Sequence, residues 1–261
     1  MYLYDYAGNV INNKDMFQKN IIVEYGYYGE ANTAFSHIRV NKKRYDESLQ
    51  FPFVRHDILR PTAIELAKRE GWDIVINAGI GEGLVIQNSV VIQDTAASSQ
   101  VGAMSLSIDE NGDLGYLPAD TTGHGDEYVA DGIVSAVCGF FPIVVDYDDY
   151  NYPTNIPGTF DTENWIRAQR QVIGQYANGD YAILTCEGRN FNNSTGLTIS
   201  ELQTLCKDFG MKFAFNLDGG GSTQTVIDYK NINSIYEGTS GRKRSLYIVF
   251  NGSNEYSIPL T

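Results

Sequence analysis

The chain has 261 residues, 43% of them hydrophobic, and carries 32 acidic and 19 basic side chains for a net charge of −13. This hydrophobic content excludes a disordered or collagen-like chain, and the length allows one large domain or two small ones. The acidic balance disfavours general nucleic-acid binding, because such a surface repels phosphate backbones. Any anionic ligand must therefore be met by a local basic pocket.

The first 55 residues predict short strands with loops. Met1–Tyr6, Ile21–Tyr25 and Phe35–Val40 are rich in Tyr, Ile and Val, which favours strands. We expect residues 1–55 to extend a main domain formed by residues 56–261. The first ten residues lack both a basic segment and a long apolar run, which predicts synthesis in the cytoplasm without a secretory signal and leaves open action in a virion or outside the cell.

The next segment predicts one helix among several strands. Pro61 suits a first helical turn and Gly71 follows a last turn, so we expect a helix over Arg60–Glu70. A buried strand over Trp72–Asn77 follows. Further short strands and tight turns are predicted at Leu84–Ile86, Gln87-Asn88, Ser89–Gln93, Val101–Ile108, Asn111-Gly112 and Leu114–Leu117.

The middle of the chain is less regular. Residues 118–131 are polar and predict a loop, whereas Gly132–Val145 is apolar and predicts one buried strand. Residues 147–160 contain two prolines and predict an irregular rim or lid over a site. No stretch approaches the ~18 consecutive apolar residues of a membrane span.

The C-terminal third has the clearest patterns. Gln171–Tyr176 and Tyr181–Cys186 predict a hairpin, and the S/T-x-x-E spacing of Thr198–Glu201 predicts a capping box that starts a helix ending before Gly210. A buried strand over Phe213–Leu217 comes next. Together these patterns predict an α+β fold, with mixed, mainly antiparallel sheets and two or three helices in a single catalytic domain.

The most informative stretch is FAFNLDGGGSTQT, residues 213–225. A buried strand delivers Asn216 and Asp218 to its end, and three glycines then allow the backbone to approach a ligand closely. The N–H groups of such a turn can form an anion-binding nest, and a neighbouring carboxylate suits cleavage at a phosphorylated or acyl centre. On spacing alone, the glycines can equally make a tight turn whose N–H groups bind Asp218. No Walker loop is present.

This stretch resembles the signature of the phosphodiester glycosidase family, in which NLDGGGS follows a buried strand. The likeness is most specific over residues 165–225. In the same order along the chain, further motifs resemble those of the family: Ile76–Gly79 (INAG), Arg170–Gly174 (RQVIG), Glu187–Arg189 (EGR), Gly196–Leu202 (GLTISEL) and Arg242 before the last strand.

The resemblance implies hydrolysis of a sugar-1-phosphodiester, with N-acetylglucosamine as the expected sugar. Glycosidic cleavage usually needs a carboxylate at the reacting centre and an acid for the leaving group, and we assign Asp218 and Glu187, expected at the ends of adjacent strands, as the catalytic pair. A phosphate leaving group needs cations, and arginine binds phosphate in a bidentate way. The implied substrate-binding residues are Asn77, Arg170, Arg189, Asn216, Gly219, Gly220, Gly221, Ser222, Thr223 and Arg242.

Several of these residues also have a purely structural interpretation. Glu187 can pair with Arg189, Arg170 can lie on an exposed strand face, and Asn77 can cap a strand end. Three cysteines without a CxxC pair predict buried, inert thiols. The scheme requires no cofactor. The metal ligands are unknown, and a divalent cation such as Ca²⁺ or Mg²⁺ that assists the phosphate stays open.

The leading hypothesis is a hydrolase that acts on a glycosyl-phosphate or polysaccharide substrate, in a glycan or cell-wall-type polymer. Gln171, Glu187 and Ile80 depart from the family pattern, which motivates the alternative of a non-catalytic sugar-phosphate or cell-wall binding module. A third alternative is a structural virion protein, since domains of this type are similar to ones found near phage tail genes. A phage tail-associated enzyme with virion or homo-oligomer partners is the corresponding expectation.

Overall fold

A computed structural model describes residues 3–4, 10–11, 21–42, 49–50, 60–79, 81–97, 102–119, 122–151, 166–236, 238 and 240–251. In chain order its strands are β1 (Leu3–Tyr4), β2 (Val10–Ile11), β3 (Ile21–Tyr28), β4 (Thr33–Val40), β5 (Leu49–Gln50), β6 (Ile74–Asn77), β7 (Leu84–Gln87), β8 (Val90–Asp94), β9 (Ser105–Asp109), β10 (Leu114–Leu117), β11 (Ile133–Cys138), β12 (Phe141–Val145), β13 (Asp148–Asp149), β14 (Arg170–Gln175), β15 (Tyr181–Cys186), β16 (Phe213–Asn216), β17 (Thr225–Ile227), β18 (Lys230–Asn231) and β19 (Tyr247–Phe250). The described α-helices are α1 (Ala63–Glu70), α2 (Gly125–Ala130) and α3 (Ile199–Asp208).

Three larger sheets carry the fold. The first has seven strands in the order β13-β12-β16-β14-β15-β4-β3. The second has the order β18-β17-β6-β19-β5, and the third the order β10-β9-β11-β7-β8. Neighbouring strands of the described residues pair antiparallel throughout. The predicted α+β class with mainly antiparallel sheets is confirmed.

The main hydrophobic core is shared by the three sheets. Ile173 and Phe215 from the seven-stranded sheet pack in one buried cluster with Ile76, Ile248 and Leu106 from the other two. Strand β6 is buried on both faces, because its side chains alternate between this core and a smaller cluster under α1. The outer face of the seven-stranded sheet is covered by α3.

Helix α1 begins later than the sequence analysis predicts. Its N-cap is Thr62, whose hydroxyl accepts from the Glu65 N–H, while the Glu65 carboxylate accepts from the Thr62 N–H at 2.8 Å. The predicted start at Arg60 is therefore wrong, and Pro61 precedes the cap. The spacing Thr62-x-x-Glu65 is itself a capping-box signal. The predicted end is confirmed, because Gly71 adopts a left-handed conformation with φ of 76°.

The apolar stretch Gly132–Val145 is not the single strand predicted. It forms β11 in one five-stranded sheet and β12 in the seven-stranded sheet, and the chain crosses between them at Gly139 and Phe140. A Cβ on Gly139 would stand 2.6 Å from the Phe215 ring, so only glycine fits this crossing. Pro142 lies at the irregularity in the β12–β16 register, where a missing N–H is tolerated.

Two other loop predictions need correction. The segment predicted as a polar loop contains α2, which packs against β8; the Asp94 carboxylate of β8 accepts the N–H groups of Gly123 and Gly125, each at 2.9 Å. That contact is distant in sequence, so local composition could not reveal it. The turn between β7 and β8 falls at Asn88-Ser89, both with positive φ, rather than at Gln87-Asn88.

Some predictions fall partly outside the described residues. Of the predicted strand Met1–Tyr6, the structure describes Leu3–Tyr4. Residues 152–160 of the predicted rim (147–160) lie outside the description. Strands β3 and β4 belong to the seven-stranded sheet, whereas the domain division at residue 55 stays a prediction. None of the described helices is long and apolar enough to span a membrane.

All three cysteines are buried free thiols, as predicted. Burial raises the pKa of the Cys138 thiol to about 12. The pKa values of the Cys186 and Cys206 thiols are raised by the same cause. These groups are therefore protonated at neutral pH and unreactive.

The predicted capping box of α3 is present and can be tested with a matched pair on one helix. The Thr198 hydroxyl accepts from the Glu201 N–H, and the Glu201 carboxylate accepts from the Thr198 N–H at 2.9 Å. We expect Thr198→Ala to lower the free energy of unfolding by about 1 kcal/mol in urea denaturation. Thr204→Ala, at an exposed position of the same helix, serves as the control and should change it by less than about 0.5 kcal/mol. Equal effects would contradict the capping role.

Candidate active site

Three strand ends of the seven-stranded sheet meet at one edge. Strand β14 lies between β15 and β16 and is antiparallel to both, so β15 and β16 end where β14 begins. This register brings Arg170, Glu187 and Asp218 to the same edge. The expectation that Glu187 and Asp218 follow adjacent strands is wrong, because β14 separates their strands.

The second sheet contributes the facing wall. The triple-glycine turn leads from β16 directly into β17, which pairs with β6. Asn77 ends β6, and Arg242 and Arg244 precede β19, whose first residue, Tyr247, is paired with Asn77. The turn therefore crosses between two sheets at the point where their polar strand ends converge.

The three glycines are needed for different reasons. A Cβ on Gly219 would stand 2.6 Å from the Gln169 carbonyl oxygen, and one on Gly221 would stand 2.7 Å from the Tyr236 ring. Gly220 has φ of +55°, which favours glycine. The turn itself is a single 3₁₀ turn over Gly220–Ser222.

The N–H groups of this turn are largely used inside the protein. Gly220 donates to the Gln169 carbonyl at 2.9 Å, Ser222 donates to Gly219, and Thr223 donates to Gly220. These three groups are not free to form the predicted anion nest.

Asn77 fixes both ends of the turn. Its side-chain amide donates to the Asp218 carbonyl oxygen, and its side-chain oxygen accepts from the Gln224 N–H at 2.8 Å. The side chain is 1% exposed. In the described residues Asn77 thus acts as a clamp behind the turn, and its predicted contact with substrate stays a prediction.

A cleft of about 560 Å³ opens in front of the turn. Of the described residues that line it, five are arginines and one is an aspartate, a net charge of +4 in a chain of net charge −13. The lining residues are Phe140, Ile166, Arg167, Ala168, Arg170, Arg189, Asn216, Leu217, Asp218, Gly219, Gly220, Gly221, Ser222, Arg242 and Arg244.

Asp218 is the only carboxylate among these described lining residues, and it is paired. The Arg244 Nη2 lies 3.2 Å from the Asp218 Oδ2, and the two side chains are 22% and 16% exposed. Arg244 also donates to the Ser222 hydroxyl, which accepts a longer hydrogen bond of 3.4 Å from Arg242. Asp218, Ser222 and two guanidinium groups therefore form one polar cluster on the cleft wall.

Arg170 is buried, not on an exposed strand face. Its Nε donates to the Leu197 carbonyl at 2.9 Å and its Nη2 to the Ile166 carbonyl at 2.7 Å. Nearby, Arg167 forms a two-pronged ion pair with Glu201. Both guanidinium groups line the cleft while much of their hydrogen-bonding capacity is used by the fold.

Glu187 is placed behind the cleft wall. It is 4% exposed and is not among the residues that line the cleft. Its Oε1 accepts the Ser234 N–H at 2.8 Å and the Asn192 amide at 3.5 Å. Burial raises the pKa of this carboxyl group, and these hydrogen bonds oppose the rise. Its assignment as a second catalytic carboxylate stays a prediction.

Three predicted site residues are buried with a side-chain oxygen that has no hydrogen-bond partner in the described part of the chain. They are Asn216 (Oδ1), Thr223 (its hydroxyl) and Glu187 (Oε2). Asn216 lines the cleft, whereas the other two do not. A buried acceptor on a cleft wall is suited to a ligand that donates a hydrogen bond, such as a sugar hydroxyl or amide.

The sequence analysis missed three residues of this site. Arg244 forms an ion pair with Asp218; the alternating R-x-R spacing before β19 was the available signal. Arg167 lies close to the matching RQVIG motif but outside it. No local sequence motif marks Tyr236 as a site residue, because its position beside Gly221 depends on how the chain folds between the two residues. Within the described residues, no group of three His, Cys, Asp or Glu side chains is placed to hold a metal ion.

The sequence of this chain matches a known protein family. The sequence model for phosphodiester glycosidases matches residues 62–250. The chain belongs to the phosphodiester glycosidase family. The predicted resemblance is thereby confirmed.

Individual relatives of this phosphodiester glycosidase chain are distant. An SPbeta prophage-derived uncharacterized protein, YomE, of Bacillus subtilis (strain 168) is 29% identical over 189 residues, which are 69% of this chain and 28% of that protein. This chain therefore spans little more than a quarter of that relative.

Two solved structures share the fold. The catalytic domain of zebrafish N-acetylglucosamine-1-phosphodiester alpha-N-acetylglucosaminidase, auto-inhibited by its pro-peptide, has a TM-score of 0.64 and 17% identity, with 89% of this chain and 82% of that chain covered. A hypothetical protein from Synechocystis has a TM-score of 0.62 and 12% identity, with 88% and 61% covered.

The close packing of the turn predicts a steric test. Gly219→Ala places a methyl group against the Gln169 carbonyl, so we expect the turn to shift, the free energy of unfolding to fall by about 1–3 kcal/mol and affinity for a sugar-1-phosphate to drop. Gly29→Ala is the control, since nothing lies within 4 Å of its added methyl group. Unfolding and calorimetric titration check both. An unchanged Gly219→Ala variant would contradict the packing described.

The raised pKa of Glu187 predicts a pH dependence of stability. A carboxyl group whose pKa is higher in the folded state stabilises the fold fully below its unfolded pKa, about 4.3, and loses that contribution as pH rises through the folded value. Glu187→Gln keeps an acceptor for the Ser234 N–H and cannot ionise. We expect the stability of this variant relative to wild type to increase from pH 4 to pH 8 in urea denaturation. A stability difference between Glu187→Gln and wild type that stays constant from pH 4 to pH 8 would contradict the raised pKa of Glu187.

Proposed function

We propose that this chain hydrolyses the sugar–phosphate bond of a sugar-1-phosphodiester. The observation that carries the proposal is the cluster of Asp218, Arg244 and Ser222 on the triple-glycine turn, in a cleft with a net charge of +4. Family membership supports the same reaction class. The fold shared with the zebrafish enzyme agrees with it.

The charge on the cleft matches what this reaction requires. The departing phosphate monoester is a weak base, so it gains more from neighbouring cations than from a proton donor. Arg244, which is paired with Asp218, and Arg242, which shares the Ser222 hydroxyl with it, are the groups we assign to hold the phosphate while the bond to the sugar breaks. Guanidinium groups in a partly desolvated cleft stabilise such developing charge better than groups in open water.

Asp218 is the group we assign to the step at the sugar. As a carboxylate on the cleft wall, it can activate water or stabilise the oxocarbenium-like centre as the bond to phosphate opens. Asn77 donates one hydrogen bond to the Asp218 backbone carbonyl and accepts one from the Gln224 N–H, which supports the assignment because both ends of the turn are held. The proposal requires no cofactor, and assistance by Ca²⁺ or Mg²⁺ stays open.

A second candidate function is a non-catalytic sugar-phosphate or cell-wall binding module. The position of Glu187 favours it, because a glycosidase that depends on two carboxylates would show both on the cleft wall. The cationic cleft suits binding as well as it suits catalysis. Turnover decides between the two functions.

The substrate and setting are part of the proposal. N-acetylglucosamine is the sugar we propose, since the zebrafish neighbour is named for it, and a glycan or cell-wall-type polymer is the proposed carrier. The prophage origin of the Bacillus relative supports a phage protein, and we propose a tail-associated enzyme or virion component that acts outside the cell.

Asp218→Asn tests the reaction. We expect release of N-acetylglucosamine from its nitrophenyl phosphodiester to fall at least about a hundredfold, because the amide keeps the shape but removes the charge. Calorimetric affinity for the same compound should survive. Asp126→Asn, at an exposed position of α2, is the control and should retain full activity.

Three results distinguish the candidates. Turnover by wild type that is lost in Asp218→Asn supports the hydrolase. Binding without turnover by wild type supports the binding module. Full activity in Asp218→Asn would contradict the central role of this carboxylate.

A further inference from the structure

The five arginines of the cleft have different partners. Arg167 is paired with Glu201, and Arg170 donates to two backbone carbonyls. Arg244 is paired with Asp218 and shares the Ser222 hydroxyl with Arg242. Arg189 has a different environment from the other four.

Arg189 is stacked on an aromatic ring. Its guanidinium carbon lies 4.4 Å from the centre of the Tyr236 ring, and no carboxylate of the described residues forms an ion pair with it. Stacking uses the face of the guanidinium plane, so the N–H groups along its edge stay available to two oxygens of a phosphate. The stack also fixes the orientation of the group, which lowers the entropy lost when a phosphate binds.

The stack is built against the glycine turn. A Cβ on Gly220 would stand 3.1 Å from the Arg189 Nη2, and the Tyr236 ring occupies the space beside Gly221. Tyr236 in turn meets the Phe191 ring edge-to-face at 6.3 Å. Although Tyr236 is 46% exposed, it therefore has a defined position beside the glycine turn.

Arg189 and Arg242 approach two successive glycines of this turn. Arg189 lies beside Gly220, whereas the Arg242 Nη2 is 3.0 Å from the Cβ position of Gly221, which also faces the Tyr236 ring. The arginines near the turn therefore form two adjacent cationic groups that differ in their partners, one around Asp218 and Ser222 and one on Tyr236.

We propose that Arg189 and Tyr236 form a second anion subsite, which binds the phosphate of the next repeat unit while Asp218 acts on the first. This inference rests on the proposed function and specifies its substrate class. The substrate is a polymer with a phosphodiester in each repeat unit. A ligand with a single phosphodiester occupies only one of the two subsites.

The charge of the cleft supports this substrate class. A single phosphodiester carries one negative charge, whereas the lining side chains carry +4 against a strongly acidic remainder of the chain. A positive cleft on an otherwise acidic chain raises the local concentration of a ligand with several negative charges. This electrostatic attraction weakens as ionic strength rises.

Binding to the Asp218→Asn protein tests the subsite without hydrolysis. The probes are two synthetic glycosyl phosphates with the same terminal N-acetylglucosamine, one with a single phosphodiester and one with two in successive repeats. We expect Arg189→Gln to weaken binding of the two-phosphate probe at least about tenfold more than that of the one-phosphate probe in calorimetric titration. Tyr236→Leu should show the same selectivity to a smaller extent. Arg69→Gln, an exposed arginine of α1, should change neither affinity.

The outcomes are distinct. Equal weakening of both probes by Arg189→Gln would assign Arg189 to the phosphate at Asp218 and overturn the proposal, as would unchanged affinity for the two-phosphate probe. Hydrolysis by the wild-type protein is measured separately. Selective loss of binding without any turnover by wild type would support the second subsite while contradicting the hydrolase proposal.

Discussion

The hydrogen bonds of one buried amide hold the candidate site in place. Asn77 ends a strand of one sheet and binds both Asp218, which follows a strand of another sheet, and Gln224, which precedes the next strand. The triple-glycine turn therefore crosses from sheet to sheet between two fixed points. Because the turn is clamped and packed against backbone at Gly219, the backbone of Asp218 is fixed, and its carboxylate is oriented by the ion pair with Arg244. Groups held in fixed positions are the kind of preorganisation that catalysis of charge separation requires.

The charge of the cleft at this edge of the sheets determines which ligands it can bind. An acidic chain repels anions in general, so a cleft whose described lining has five arginines and a single aspartate is a local exception. Those arginines are held in different ways, by backbone carbonyls at Arg170, by a carboxylate at Arg244 and by an aromatic ring at Arg189. Fixing each cation through a different partner keeps them together despite mutual repulsion. A substrate that carries phosphate relieves that repulsion when it binds.

Local patterns predicted much of this molecule, because the interactions concerned lie within a few residues. The capping box at Thr198, the hairpin turn at Asn111-Gly112 and the glycine turn after Asp218 all depend on such short-range contacts. The prediction failed where contacts between segments that are distant in sequence determine the structure. The order of strands separates Glu187 from Asp218, and the chain crossing at Gly139 divides one apolar run between two sheets. The position of Tyr236 beside the turn is likewise a property of the whole fold, as is the internal use of the turn's N–H groups.

The most direct measurement is a crystal structure with N-acetylglucosamine 1-phosphate bound. The account predicts the phosphate among the arginines at the triple-glycine turn, with the anomeric carbon of the sugar facing the Asp218 carboxylate. A second cleft of about 360 Å³, lined in part by Tyr116, Tyr176 and Lys212, offers an alternative position at another part of the fold. Density for the ligand there, with none in front of Asp218, would contradict the account.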